Sequence, residues 1–191
     1  MLLKELAMEL IKYKLGELLE LCDERNSNNV YSLKDVKGIS IKKEFIETKA
    51  DMAGVSLSPY ILVHPDSFAY VTVTSRNGDK ITIAHNTSAN TYIVSSSYVV
   101  FRVRHPEIVS SDYLFMFFNR PEFDRYARFN SWGSARETFS WEDFCDTPIT
   151  LPCLDTQKKF ASLYVAYSKC SLGTHQNELS SVLIKGSLQT L

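Results

Sequence analysis

Two β-branched runs, Val71-Thr72-Val73-Thr74 and Ile81-Thr82-Ile83, flank Asn77-Gly78, and this pattern constrains the fold more than any other stretch of the chain. Asn-Gly supplies the positive φ angles of a tight antiparallel turn, and β-branched side chains suit a pleated surface. An all-helical fold is therefore excluded. Tyr60-Ile61-Leu62-Val63 reads as another strand, stopped at His64-Pro65-Asp66-Ser67 because proline has no N–H for a ladder and extends the residue before it. Tyr98-Val99-Val100-Phe101-Arg102-Val103 is a third strong strand. Residues 31–37 and 39–45 alternate weakly on either side of Gly38, as two short strands would. Ahead of them, a short helix or extended segment from Tyr13 is expected to turn Leu15, Leu18, Leu19 and Leu21 inward, followed by a polar turn over residues 23–29.

Downstream the periodicity changes. Ser110 or Ser111 can cap a helix through Phe118, and Pro121 suits the first turn of a second one, whose acidic Glu122 favours the helix dipole. Residues 130–136 read as a loop. From Asp155 helix formers dominate, and Ala161, Val165, Ser168, Leu172, His175, Leu179 and Val182 recur at steps of four and three, a coiled-coil seam that needs a partner. The expected architecture is α+β: a mainly β domain with short helices over residues 1–152, then a long C-terminal helix over residues 153–191 for spacing and dimerisation. A chain of 191 residues accommodates one such domain with an appendage.

Hydrophobic residues at 45% and charged residues at 23% fit an ordinary folded protein. Glu5 and Glu9 interrupt the apolar start, so no export signal is indicated, and no uncharged apolar run approaches the roughly 18 residues of a membrane span. A cytoplasmic protein without membrane contact is expected. Cys22, Cys145, Cys153 and Cys170 show no metal-binding spacing, nor do His64, His85, His105 and His175; free thiols and no metal are expected.

Net charge is −1, yet it is unevenly spread. Residues 67–136 carry eight Lys/Arg against five Asp/Glu, while residues 1–66 carry nine against eleven and residues 137–191 four against six. Within residues 102–136 all six cationic side chains are arginine. Arginine suits bidentate recognition of guanine or phosphate, although pairing with Glu107, Asp112, Glu122 and Asp124 explains the same residues.

Catalytic chemistry is hard to place. With seven glycines the chain has neither a Gly-x-Gly-x-x-Gly nor a Walker loop. The Asn/Asp-Pro-Pro-Tyr/Phe signature of a DNA methyltransferase is missing as well. Pro65-Asp66 with Asp79-Lys80, and Asp35-Val36-Lys37, only approximate a nuclease motif, and Cys145 has no local nucleophile signature. A non-catalytic protein without cofactor is expected.

Tyr13-Lys14-Leu15-Gly16-Glu17-Leu18 resembles the opening of a recognition domain of type I restriction-modification specificity subunits, and Ser95-Ser96-Ser97-Tyr98-Val99-Val100-Phe101-Arg102 resembles its central strand. Residues 113–123, Gly133-Ser134-Ala135-Arg136 and Ile149-Thr150-Leu151-Pro152-Cys153-Leu154-Asp155-Thr156-Gln157 resemble its ending, where an Ile-x-Leu-Pro-x-Leu-x-x-Gln segment enters a long helix. The order and spacing of these pieces carry the resemblance, from Tyr13 to the end of the sequence. It implies a module that reads one half of a split double-stranded DNA site and docks adenine-methyltransferase subunits, with a restriction/translocase subunit joining for cleavage. Full subunits of that family hold two such domains apart with two antiparallel helices. One domain with one helix implies a homodimer, unless the chain is a truncated or partial subunit. A scaffold that binds those partners without reading DNA is the alternative.

The residues expected to meet DNA lie in polar loops: Lys42 and Lys43; Arg76, Asn77 and Lys80 at the hairpin tip; Asn86, Thr87, Asn90 and Thr91; and Asn130, Ser131 and Arg136. Asparagine can pair with adenine and arginine with guanine. For Asn77 the turn itself is sufficient explanation. Trp132 suits a sugar–phosphate contact or the core, and the core is the expected place. Ala161, Val165, Ser168, Leu172, Leu179 and Val182 are the expected dimer seam.

Overall fold

The structure, a computed structural model, describes residues 9–48, 50–74, 80–133 and 136–171, with side chains as far as Ser168. Strand β1 (Ile11–Lys14) leads into a single helical turn, α1 (Leu15–Leu18), and then β2 (Leu19–Cys22). Short ladders follow: β3 (Lys37–Ile39) pairs with β4 (Phe45–Glu47), and β5 (Ile61–Val63) with β8 (Tyr92–Val94). The hairpin β6 (Phe68–Val71) and β7 (Ile83–His85) joins β9 (Tyr98–Val103) and β2 in an antiparallel sheet of order β2-β9-β6-β7. Helices α2 (Ser111–Phe118), α3 (Pro121–Phe129) and α4 (Trp141–Cys145) precede β10 (Pro148–Leu151), which returns to pair with β1, and α5 (Leu154–Ser171) ends the described chain. The fold is mixed α and β, mainly short strands with few helices.

Alternation along the central sheet builds two cores. Phe68 and Tyr70 of β6 and Phe101 of β9 point toward the helices, where Phe101 stands 5.1 Å from Phe68 and 5.1 Å from Phe144, with Phe118 at 6.1 Å. Ala69 and Val100, one residue out of phase, meet Ile61, Val63 and Val94 of the smaller ladder on the other face. Each fully buried aromatic contributes about 1.5–3 kcal/mol in transfer alone, so this phenylalanine cluster is the main source of stability.

Two pieces of the family-like pattern have plain mechanical causes. A Cβ on Gly16 would stand 2.8 Å from Cys145 Cβ, so only glycine lets α1 approach α4 this closely. Gln157 is fully buried; its amide accepts from Ser110 N–H at 3.1 Å and donates to the carbonyls of Ile108 and Pro152 at 2.9 and 2.8 Å. That clamp satisfies backbone groups that would otherwise be buried unpaired and pins the start of α5 beside α2.

Several expectations are corrected. Gly38 lies inside β3, and the turn falls instead at residues 40–44, with Lys43 at φ +63°. Leu21 shares the inward phase of Leu19, but β2 is an edge strand beyond the helices and Leu21 is 53% exposed. The hairpin begins three residues earlier than the β-branched run, because Phe68 and Tyr70 bring the apolar face. Arg76, Asn77, Leu172, His175, Leu179 and Val182 lie outside the described residues.

Candidate nucleic-acid interface

At one end of the central sheet three backbone segments lie side by side. Beyond β6, Phe139 N–H donates to Thr72 O at 2.8 Å and Thr74 N–H to Glu137 O at 3.0 Å. Trp132 and Thr138 then exchange N–H···O bonds of 3.0 and 2.9 Å, closing a second hairpin next to the first. Gly133 makes this closure possible. Its φ is +133°, and a Cβ there would stand 2.3 Å from the Arg136 carbonyl oxygen. The same end holds a cleft of about 520 Å³ of mixed lining, with Thr72, Thr82, Ser96, Ser97 and Tyr98 beside the apolar Ile39, Val71, Val73 and Val99, and with Arg136 on its border.

Ion pairing singles out Arg136 from the arginine-rich stretch. Arg102 and Arg104 both face Glu20; Arg120 and Arg125 lie 3.6 and 3.3 Å from Glu122; Arg128 pairs with Glu137. Pairing thus accounts for five of the six, through Glu20, Glu122 and Glu137 rather than Glu107, Asp112 or Asp124. Arg136 is exposed and has no ion pair to a described residue. Lys42 and Lys80 are also exposed without such a pair, and Lys80 is close enough to Lys43 for its charge to bear on that amine.

Lys43 does not belong with them. It is 4% exposed, donating to Asp124 at 2.7 Å and to the Phe118 carbonyl at 2.6 Å, and burial pushes its amine below the usual lysine range. Its ammonium serves the fold and is closed to phosphate. Asn130 and Ser131 are likewise committed locally, to the carbonyls of Tyr126 and Ala127 at the end of α3. Trp132, expected inside, is 63% exposed.

The remaining candidates sit at the far end of the β6–β7 ladder. Asn86 is 1% exposed; it donates to Val63 O at 3.0 Å and Asn90 O at 2.8 Å and accepts from Ser88. Its role is to shape the loop, which removes it from base reading. Thr91 bonds His64, while Thr87 and Asn90 are exposed. Their surroundings are acidic: Asp66, Asp112 and Glu24 present side chains 71%, 61% and 65% exposed. Asp66 accepts from the His85 ring at 2.8 Å, a bond that holds its carboxyl below the usual range, and from Ser111 at 2.9 Å. From Ser67 to Val73 the extended chain covers about 20 Å, so the two groups of candidates are well separated.

Among the described residues no group of His, Cys, Asp and Glu is placed to hold a metal ion, and no helix is long and apolar enough to cross a membrane. Cys22, Cys145 and Cys153 are free thiols, the first two pushed up by burial. Sequence reasoning passed over the hydroxyl groups of the cleft, although three consecutive serines between two strands signal an exposed turn.

A family model described as the type I restriction modification DNA specificity domain matches residues 9–182. Among solved structures, the fold is similar to the S subunit of a type I restriction-modification system from M. genitalium, with TM-score 0.54 and 8% identity over 86% of this chain and 40% of that one. It is also similar to the HsdS subunit from Thermoanaerobacter tengcongensis, with TM-score 0.61 and 16% identity over 84% of this chain and 42% of that one. The chain thus spans about two fifths of the subunits it resembles. No curated protein matches the sequence.

Proposed function

The chain belongs to the type I restriction-modification DNA specificity domain family, and on that premise we propose that it reads one half of a bipartite duplex DNA site through the end of the sheet that carries Arg136. The observation that carries this reading is the isolation of Arg136: it borders a cleft lined by both hydroxyl-bearing and apolar residues, with its guanidinium unpaired among the described residues. A guanidinium fork matches the O6 and N7 acceptors of guanine, and hydroxyls such as those of Thr72 and Ser96 can donate or accept toward either partner of a base pair. Lys42 and Lys80 supply phosphate contacts that set register. The opposite end, rich in exposed carboxylates, repels the DNA backbone.

Methylation and cleavage belong, in this reading, to partners in the cytoplasm: an adenine-methyltransferase subunit docked by the specificity chain and a restriction/translocase subunit that joins for cutting. In the same reading the chain is a non-catalytic subunit that orients the partners on DNA, with α5 as the spacer and dimer element. The test is fluorescence anisotropy of the chain reconstituted with its methyltransferase subunit, titrated with a selected duplex and with random duplex. Preference for the selected site by at least a hundredfold is expected. Equal affinity for both would leave only the partner-binding scaffold.

A further inference from the structure

Tryptophan is among the most buried residue types on average, so a solvent-facing indole held in fixed backbone calls for a use. Trp132 is 63% exposed, yet its main chain is bonded twice to Thr138. The next residue, Gly133, abuts the Arg136 carbonyl, so the indole and a guanidinium without an ion pair among the described residues belong to two backbone segments held together. The carboxylate of that hairpin, Glu137, is neutralised by Arg128. Trp141, the other tryptophan, is partly buried and stacks on Phe144 at 5.5 Å.

We propose that Trp132 is a DNA contact acting beside Arg136: its indole packs against the sugar–phosphate edge adjoining the base pair that the guanidinium reads. This rests on the DNA-reading function proposed above. A cation and a flat apolar ring on paired backbone segments match nucleic acid, in which every phosphate neighbours apolar sugar surface. An acidic protein surface would satisfy the guanidinium but leave the ring without a partner.

The chain is labelled with 5-hydroxytryptophan in a Trp141→Phe background, so that Trp132 alone is excited selectively in the complex with unlabelled methyltransferase subunit. Adding the selected duplex is expected to change the emission of Trp132 saturably, at the affinity measured by anisotropy. Trp132→Ala is expected to weaken that affinity about tenfold, to leave subunit assembly and thermal stability unchanged, and to be largely restored by Trp132→Phe. If the complex discriminates the selected duplex while Trp132 emission and the affinity of Trp132→Ala stay unchanged, the contact is overturned and the reading of DNA stands. Loss of methyltransferase assembly in Trp132→Ala overturns it in favour of a protein-docking role. If even the unmodified complex fails to discriminate, the proposed function itself has failed.

Discussion

Lys43 Nζ lies 2.7 Å from Asp124 Oδ1, in an ion pair whose side chains are only 4% and 10% exposed. Asp124 also accepts from Ile81 N–H at 3.1 Å, so the pair ties the β3–β4 turn to helix α3 and to the return strand of the hairpin. Removing one partner strands the other charge away from water. Lys43→Ala is expected to cost about 3–5 kcal/mol in urea unfolding. Exposed Lys42 behaves oppositely: Lys42→Ala should leave stability unchanged and lower the salt slope of DNA binding by about one. A reduced salt slope with unchanged stability in Lys43→Ala would overturn this assignment.

These two adjacent lysines also mark what sequence can tell. The strands at Ile61, Phe68 and Tyr98, the helix starting at Ser111 and the first-turn proline at Pro121 are legible because each follows from local rules: alternation, capping and the missing proline donor. The division between Lys42 and Lys43 depends on a carboxylate 81 residues away, and nothing local announces it. Asn86 is misleading in the same way. Its polar loop suggests a reading surface, but its amide serves the carbonyls of Val63 and Asn90. Arg136 emerges only once its five neighbouring arginines are seen to be paired.

Asn86 and Asn90 should therefore separate in experiment, although both stand in one loop. Asn86→Ala removes two buried donors and the acceptor for Ser88, and is expected to cost about 1–3 kcal/mol, with the DNA preference of the surviving folded protein unchanged. Asn90→Ala, at an exposed side chain on the acidic end, should alter neither stability nor preference. A selection profile that changes for Asn90→Ala and not for Arg136→Ala would move the reading surface to that end.

Gly133→Ala tests the presentation of Arg136 without touching its guanidinium. The new methyl would meet the Arg136 carbonyl oxygen at 2.3 Å, at a φ of +133° that an L side chain rarely adopts. Since Trp132 and Gly133 are exposed, the core should survive and the Trp132–Thr138 pairing should open. The expected result is a melting temperature within a few degrees of the parent and a loss of site preference comparable to that of Arg136→Ala. Discrimination at the parent level would show that the hairpin need not be closed.

Acid should loosen the far end of the sheet first. The hydrogen bond from His85 holds Asp66 below the usual carboxylate range, so its stabilising effect is complete above the unfolded value and is lost as pH falls through the lower folded value. The window therefore lies below about pH 4. Asp66→Asn should flatten the pH dependence of unfolding there and change nothing near neutrality; an unaltered acid limb would remove Asp66 from the account.

The last prediction concerns assembly through α5. Ala161 was expected in a dimer seam, but it is 4% exposed within the chain's own core, and Ser168 bonds back to Tyr164 O. Gln157, Ala161, Tyr164 and Ser168 follow one face of the helix, which packs beside α2 at its start. In the sequence, steps of four and three run from Ala161 through Val165, which is 42% exposed, to Leu172, which lies outside the described residues. The proposed homodimer accordingly begins past Ala161, where the face leaves its own domain and meets the same face of a second copy. Such a two-fold dimer presents identical halves, so its bipartite target is an inverted repeat. Ala161→Glu would unfold the domain and report nothing about pairing. Val165→Glu, at an exposed position, leaves the core intact and should convert dimer to monomer in light scattering across a concentration series, with and without the methyltransferase subunit. A parent chain that is monomeric under both conditions, or a selected target with unlike half-sites, would falsify the dimer.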